Sequence, residues 1–333
     1  MSGLLQSHMA ILCGTLLASA CAGQDGTAVF RTTSELVLLD IQVIQKKTNT
    51  STAVLRRKDL QVFEDGQPQK ISFLSRDELP LSIVMLFDMT DSSRAVLKRL
   101  AEGAQSALAH LKKADEVAVM VYAAHGRVID GFTTDRARTV AAIQRAAGES
   151  QPGGAYFNEA VWESAELLQK SGNSSGRRVM IWLTDNLPNV ATQRTDQSDG
   201  ESRIIHTEVE AIRSVHEAGA VVAPLLLRSS ATMLWAGPLM ALEAPLRPSH
   251  PPGDAHKYAE VTGGEAIGLG GKRVDERLGD LIDDLRSRYT VGYRPSGEKP
   301  AGMFCKVQVS LAPDGSFRPK EWIVRARAGY YRH

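Results

Sequence analysis

The sequence predicts an α/β chain in which a doubly wound, mainly parallel sheet is inserted in a discontinuous β-sandwich. Three observations carry this. Two continuous apolar runs, 83–87 and 179–183, lead into carboxylates at Asp88 and, after Thr184, at Asp185. Apolar runs of this length bounded by polar residues are strands buried on both faces, as in parallel sheets. From Leu81 onward such runs alternate with amphipathic stretches, the pattern of a sheet covered by helices on both sides. On either side of that region apolar and polar residues alternate with a period of two, which marks half-buried strands.

The elements follow in order. Residues 36–46 form a strand with Val37, Leu39, Ile41 and Val43 on one face and Asp40 and Gln42 on the other. Residues 60–63 and 70–74 make two more strands, joined through Glu64-Asp65-Gly66-Gln67-Pro68, which is good turn chemistry. Pro80 closes this β segment of residues 30–79. Helix 92–112 carries Val96, Leu97, Leu100, Ala104, Leu108 and Leu111 on one face. Strands 116–123 and 128–132, helix 135–147, a Gly-rich loop, helix 156–171, strand 179–183, helix 202–218 and strand 221–227 continue the alternation.

Prolines 238, 245, 248, 251 and 252 make residues 229–253 an irregular surface excursion. Its Met233, Leu234, Trp235 and Met240 are either exposed anchors or a local cover. Helix 255–262, strand 265–267 and helix 273–288 resume the pattern. After Tyr289 the chain is β again, at 289–294, 303–311 and 322–328, with Cys305, Val307, Val309 and Leu311 alternating with Lys306, Gln308 and Ser310. Neither β segment is large enough to bury a core alone. The simplest arrangement packs 294–333 on 30–79, with an α/β domain of residues 81–293 between them.

Composition bounds the function. With 43% hydrophobic and 23% charged residues the 333-residue chain is ordinary for a globular protein. A net charge of +1 gives no electrostatic argument for nucleic acid or an anionic membrane as partner. Residues 1–22 contain no Asp, Glu, Lys or Arg and end in Ala18-Ser19-Ala20-Cys21-Ala22, the form of a secretory signal peptide. Two processing readings stay open. Cleavage after Ala20 or Ala22 gives a soluble exported protein, and cleavage before a lipid-modified Cys21 gives a lipoprotein. Either places the protein outside the cytoplasm: periplasmic, secreted or anchored to the envelope. Pro224 interrupts the most apolar later run, 218–227, so no transmembrane helix is expected in the mature chain. The cysteines are Cys13, Cys21 and Cys305, too few for a disulfide framework. Cys305, in an alternating strand, reads as a small buried hydrophobe.

The chemistry concentrates after the first buried strand. Asp88, Thr90 and Ser92 place one carboxylate and two hydroxyls within a single loop, a hard-oxygen cluster suited to Mg²⁺, Mn²⁺ or Ca²⁺. Doubly wound sheets bind ligands outside the carboxyl ends of strands where strand order reverses, so Asp185 converges on Asp88 if their strands are neighbours there. The alternative is that Thr90, Asp91 and Ser92 only cap the following helix.

The Asp-x-Thr-x-Ser pattern at 88–92 resembles the metal-ion-dependent adhesion site of von Willebrand factor A (VWA) domains, and Leu183-Thr184-Asp185 resembles the second signature of that family. The resemblance runs over residues 81–293. Beyond it, Leu60-Gln61-Val62-Phe63-Glu64-Asp65-Gly66-Gln67-Pro68-Gln69-Lys70-Ile71 and Ala326-Arg327-Ala328-Gly329-Tyr330-Tyr331 look like a VWA-related family known chiefly from Acidobacteria, with an exported chain, a β-rich preface, the A domain and a β-rich tail. The resemblance implies a site of Asp88, Thr90, Ser92 and Asp185 for Mg²⁺ or another divalent cation. It also implies a protein or envelope partner whose carboxylate completes the coordination. One departure matters. The family places a Thr after a Gly-Gly pair as a third metal element, whereas Gly153-Gly154 here precede Ala155, which has no oxygen. Asn158 and Glu159 are the nearest oxygens, and they are expected on the helix beyond the loop.

Other motifs have the wrong context. Gly172-Asn173-Ser174-Ser175-Gly176 matches GxSxG, but a helix precedes it and a strand follows, the reverse of a nucleophile elbow. The Gly-rich 263–272 has Arg273 where a phosphate loop needs Ser or Thr. His250 and His256 lack the companions of a zinc site. No nucleophile–base constellation supports an enzyme. The sequence therefore points to an exported, non-enzymatic binding or adhesion module, or alternatively to a metal-free scaffold whose adhesion site has degenerated.

Overall fold

The computed structural model describes residues 36–332, apart from 49, 52–53, 77–78, 124, 150–154, 187–194, 197–202, 205, 228–253, 270 and 298. The expected signal segment with Cys21, Gly153, Gly154 and the expected excursion 229–253 thus lie outside the described residues.

The first alternating stretch is β1 (Val37–Gln45), on which β2 (Thr50–Ser51) folds back. Then come β3 (Leu60–Glu64), β4 (Gln67–Gln69) and β5 (Ile71–Ser75). The turn residues predict a hairpin of 60–63 with 70–74. The hairpin instead closes on β4, because Asp65 and Gly66 both take positive φ, 48° and 82°, the backbone of a two-residue turn that places Gln67 opposite Glu64. Pro68 keeps β4 at a sheet edge, where no N–H is needed. β5 crosses to the other sheet.

The α/β region runs β6 (Leu81–Asp88), α1 (Asp91–Leu108), β7 (Glu116–Tyr122), β8 (Gly126–Thr133), α2 (Arg136–Gly148), α3 (Phe157–Gln169) and β9 (Arg177–Thr184). A short ribbon of β10 (Thr195–Asp196) and β11 (Arg203–Ile204) precedes α4 (Glu208–Ala218). The expected helix 202–218 starts late because Thr207 and Glu210 form a reciprocal capping box that fixes its first turn. Next come β12 (Val221–Leu226), α5 (Ala255–Thr262), β13 (Ile267–Gly268) and α6 (Val274–Arg286).

The central sheet has the order β13-β12-β9-β6-β7-β8, parallel except for β8. From β6 the chain winds outward to β7 and β8, then returns to β9 on the other side of β6. Strand order therefore reverses between β6 and β9. Every residue of β6 and β7 is buried, which is why the sequence reads as unbroken apolar runs. Ile83, Met85 and Phe87 pack with α1, α2 and α6 on one face. Val84 and Leu86 pack with α3, α4 and α5 on the other.

The remaining strands are β14 (Tyr289–Tyr293), β15 (Phe304–Leu311), β16 (Trp322–Ala326) and β17 (Gly329–Tyr331). They complete two antiparallel sheets, β16-β1-β14-β5 and β17-β15-β3-β4. Leu39, Ile41 and Val291 from one sheet and Val62, Cys305 and Val307 from the other share one core. The far side of β1, which the alternation leaves polar, meets the α/β region. There the buried Arg177 at the start of β9 donates to Asp40 Oδ1 at 2.8 Å and to the Leu285 carbonyl at 2.9 Å. Among the described residues no helix is long and apolar enough to cross a membrane.

Candidate functional site

Asp88 ends β6 and Asp185 follows the last residue of β9. The parallel register pairs Phe87 with Leu183, so Asp88 stands level with Thr184 and Asp185 lies one residue beyond. Both carboxylates therefore emerge at the point where strand order reverses, the expected place for a ligand in a doubly wound sheet.

Asp88 is only 1% exposed. Its Oδ1 accepts from the Thr90 backbone N–H at 2.9 Å, and its Oδ2 accepts from Thr184 Oγ1 at 3.2 Å. Burial pushes its pKa up, the hydrogen bonds from Thr90 and Thr184 oppose this, and the charge of Asp185 adds to the rise, with a net increase. Among the described residues no Lys, Arg or His forms an ion pair with it. A buried carboxylate beside a second carboxylate, with no ion-pair partner of its own among the described residues, has an environment that a bound cation would relieve.

Thr90 is the N-cap of α1 by its backbone, yet its hydroxyl makes no capping bond and lies 3.5 Å from Ser93 Oγ. Ser92 falls in the first turn of the same helix, and its side chain is outside the described set. Tyr122, across the sheet from Asp88, lies in the wall of the site and accepts from Trp182 Nε1 at 2.8 Å. Burial, with the charge of Asp88, raises its pKa well above the usual tyrosine value, so it presents a neutral hydroxyl.

Ala155 is buried at 1% exposure in the cluster with Phe157 and Trp182. It supplies no ligand atom. Asn158 and Glu159 lie on α3, as expected, and are committed elsewhere: Asn158 Oδ1 accepts from Tyr258 Oη at 2.7 Å, and Glu159 Oε2 accepts from the His206 N–H at 3.0 Å.

The structure adds residues that the sequence did not single out. Asn186 adopts a left-handed conformation at φ 62° after its backbone N–H bonds Thr184 Oγ1 at 3.0 Å. Its amide then reaches Asp254 Oδ1 at 3.0 Å and accepts from the Ala255 N–H at 2.8 Å, tying the β9 loop to the start of α5. His256, which the sequence sets beside His250 without the companions of a zinc site, meets Asp254 Oδ1 at 2.8 Å. Burial raises the Asp254 pKa, but hydrogen bonds from His256 and Asn186 outweigh it and hold the carboxyl below its usual value. Asp254 is thus a saturated positioning group. The Asn after Leu-Thr-Asp and the Asp before the helix were visible signals, but nothing in the sequence joins them.

One other group has metal-ligand types in reach. Glu64, Asp65 and Cys305 converge within 4.8 Å. Lys299 Nζ occupies that position, donating to Glu64 Oε1 at 2.7 Å and Asp65 Oδ2 at 2.5 Å. The ammonium already supplies the cation.

Residues 83–187 match the von Willebrand factor type A domain family. No curated protein matches the chain. Among solved structures the chain is similar to an aerotolerance-related membrane protein from Bacteroides fragilis, at 12% identity and TM-score 0.42 over 61% of this chain and 98% of that one. It is similar to a mutant of the PilB minor pilin from Streptococcus sanguinis, at 10% identity and TM-score 0.44 over 75% and 78%. A third is proximal thread matrix protein 1 from the mussel byssus with a zinc-occupied MIDAS motif, at 13% identity and TM-score 0.41 over 68% and 50%.

Proposed function

We propose, for a chain whose residues 83–187 form a von Willebrand factor type A domain, that it is an exported, non-enzymatic binding module that recognises a protein or envelope ligand at the Asp88/Asp185 crevice. Asp88, Thr90, Ser92 and Asp185 would hold Mg²⁺ or another divalent cation, and the cation offers an open position to a partner's carboxylate. The observation that supports this reading is Asp88: a buried carboxylate at the switch point of the sheet, beside Asp185, that accepts from a backbone amide and a hydroxyl and has no ion-pair partner among the described residues.

The flanking motifs support placement in the exported VWA-related group with a β-rich preface and tail. Export through residues 1–22, with release as a soluble protein or retention through lipid on Cys21, belongs to the same reading.

Calorimetric titration with Mg²⁺ and Mn²⁺ tests the site. Saturable heat in the wild type, absent in Asp88→Ala, is the expected result. Pull-down from envelope extract should then depend on the cation and fail with chelator. A second reading, a metal-free scaffold, draws on Ala155, whose burial in an apolar cluster removes one oxygen from the site. Capture that persists in chelator and in Asp88→Ala selects that reading.

A further inference from the structure

A cavity of about 260 Å³ lies between the start of β1, the C-terminal end of α4 and β17. Three arginines line it, Arg178, Arg327 and Arg332, against one carboxylate, Glu217. Glu217 is engaged by Arg213, whose Nε donates to it at 2.7 Å. His216 also faces the cavity. Burial, reinforced by Arg327, pushes its pKa down to about 4, so it is neutral near pH 7. Leu36, Tyr330 and Tyr331 supply an apolar wall.

The arginines are not equivalent. Arg178 gives Nη1 to the Ala218 carbonyl at 3.2 Å and Nε to Ser171 Oγ at 3.2 Å, and it covers the negative pole of α4. Arg327 uses Nη2 on the Leu38 carbonyl at 2.8 Å. Its Nε, and Nη1 of Arg332, are shut off from solvent without an acceptor among the described residues, so a ligand in the cavity would meet the other nitrogens of these two guanidinium groups. Asp40, whose field reaches Arg327, is already bonded to Arg177. Three guanidinium groups face one carboxylate that Arg213 already engages, and the guanidinium fork matches carboxylate and phosphate oxygens.

We propose that this junction cavity binds a small organic oxyanion, a carboxylate or phosphate on a compact apolar body, anchored by Arg327 and Arg332. The volume lies just below the roughly 300 Å³ lower bound of drug-sized ligand sites, which limits the occupant to a compact molecule. The site is separate from the Asp88 crevice. Arg178 is the second residue of β9 and Thr184 the last, so the two lie about 20 Å apart at roughly 3.3 Å per residue.

Calorimetry on the full chain in low salt with chelator present tests this independently of any cation. The probes are benzoate, phenyl phosphate, inorganic phosphate and the neutral benzyl alcohol. One-to-one binding of benzoate or phenyl phosphate is expected, with no heat from benzyl alcohol and weaker binding of inorganic phosphate. The preferred anion identifies the headgroup. Arg332→Gln should weaken binding at least tenfold. Since Arg327 also holds Leu38, the second variant is Leu36→Trp, at a residue 41% exposed, which narrows the mouth without touching either anchor. The proposal is overturned if neither aromatic anion gives saturable heat, if both variants bind as the wild type does, or if inorganic phosphate binds as tightly as phenyl phosphate.

Discussion

Tyr330 Oη donates to Glu64 Oε2 at 3.0 Å across 266 positions of sequence. Tyr293 Oη donates to the same oxygen at 2.7 Å, and Lys299 Nζ takes Oε1 at 2.7 Å. Glu64 and Tyr330 belong to one antiparallel sheet and Tyr293 to the other. A single carboxylate, 2% exposed, therefore joins both sheets of the sandwich and both of its flanking sequence motifs. Removing one partner of such a network strands the rest. Glu64→Ala is expected to lower unfolding free energy by about 3 kcal/mol in urea titration, and Glu64→Gln by less, because its amide oxygen still accepts from a tyrosine. A loss in Glu64→Ala no larger than that of an exposed surface substitution would show that the network contributes little.

The same carboxylate makes stability depend on acid. Burial alone raises its pKa, but the hydrogen bonds from Lys299, Tyr293 and Tyr330 outweigh burial and hold it below the ordinary 4.5. The unfolded chain then binds the proton more readily than the folded one. The contribution is present above pH 4.5 and fades as pH falls through the lower folded value. Thermal unfolding scanned from pH 6 to 3 should show Glu64→Gln converging on the wild type at the acid end. A constant gap over that range would contradict it.

Deleting residues 300–333 tests how the two ends depend on each other. It removes β16, which pairs with β1 from Ile41 opposite Ala326 to Gln45 opposite Trp322, and β15, which pairs with β3. Amides of 41–45 should lose hydrogen-exchange protection, while β6 and β9, inside the other sheet, keep theirs. Unchanged exchange in 41–45 would mean that β1 is held well enough by β14, β2 and Arg177.

What the sequence revealed follows from which forces act locally. Continuous burial wrote β6 and β9 into unbroken apolar runs, so their ends at Asp88 and Asp185 were readable. The capping box of Thr207 and Glu210 is also local to the sequence and starts α4 at Glu208, where the apolar pattern alone extends the helix back to 202. The departure of β5 turns on a two-residue hairpin at Asp65–Gly66, a matter of backbone φ more than of hydrophobic pattern. Long-range chemistry left no periodic trace. Asn186 meets Asp254 across 68 positions, and Lys299 fills the space between Glu64 and Asp65 across 235 and 234. Cys305 read correctly as buried, but nothing local indicated an ammonium 3.8 Å from its sulfur.

Asp88 should behave oppositely to Glu64. Burial first, then Asp185, raises its folded pKa against the hydrogen bonds from Thr90 and Thr184. Its ionised form is disfavoured in the folded chain, so this term destabilises the metal-free protein once pH rises through the raised folded value and eases as pH falls. Asp88→Asn keeps the shape and removes the charge. Metal-free Asp88→Asn is expected to unfold at a higher temperature than the wild type at pH 7 and to gain nothing from Mn²⁺. A variant less stable than the wild type in chelator would mean that the carboxylate is already compensated within the protein.

Ala155→Thr asks whether the crevice retains the rest of an adhesion site. Ala155 is packed with Phe157 and Trp182 at 1% exposure, and the adjacent Tyr156 N–H is fixed to the Ala123 carbonyl at 3.1 Å. Adding a methyl and a hydroxyl here overfills a close-packed region, which costs about 1–3 kcal/mol, and the buried hydroxyl adds a penalty unless it finds a partner. In chelator the variant should therefore melt below the wild type. A divalent cation held by Asp88 and Thr90 gives the new hydroxyl that partner, so Mn²⁺ should restore much of the loss and bind more tightly than it does to the wild type. Melting curves with and without Mn²⁺, alongside calorimetry, separate the two terms. If the variant is destabilised equally with and without the cation, position 155 does not reach the crevice, and the metal-free scaffold becomes the better account of the domain.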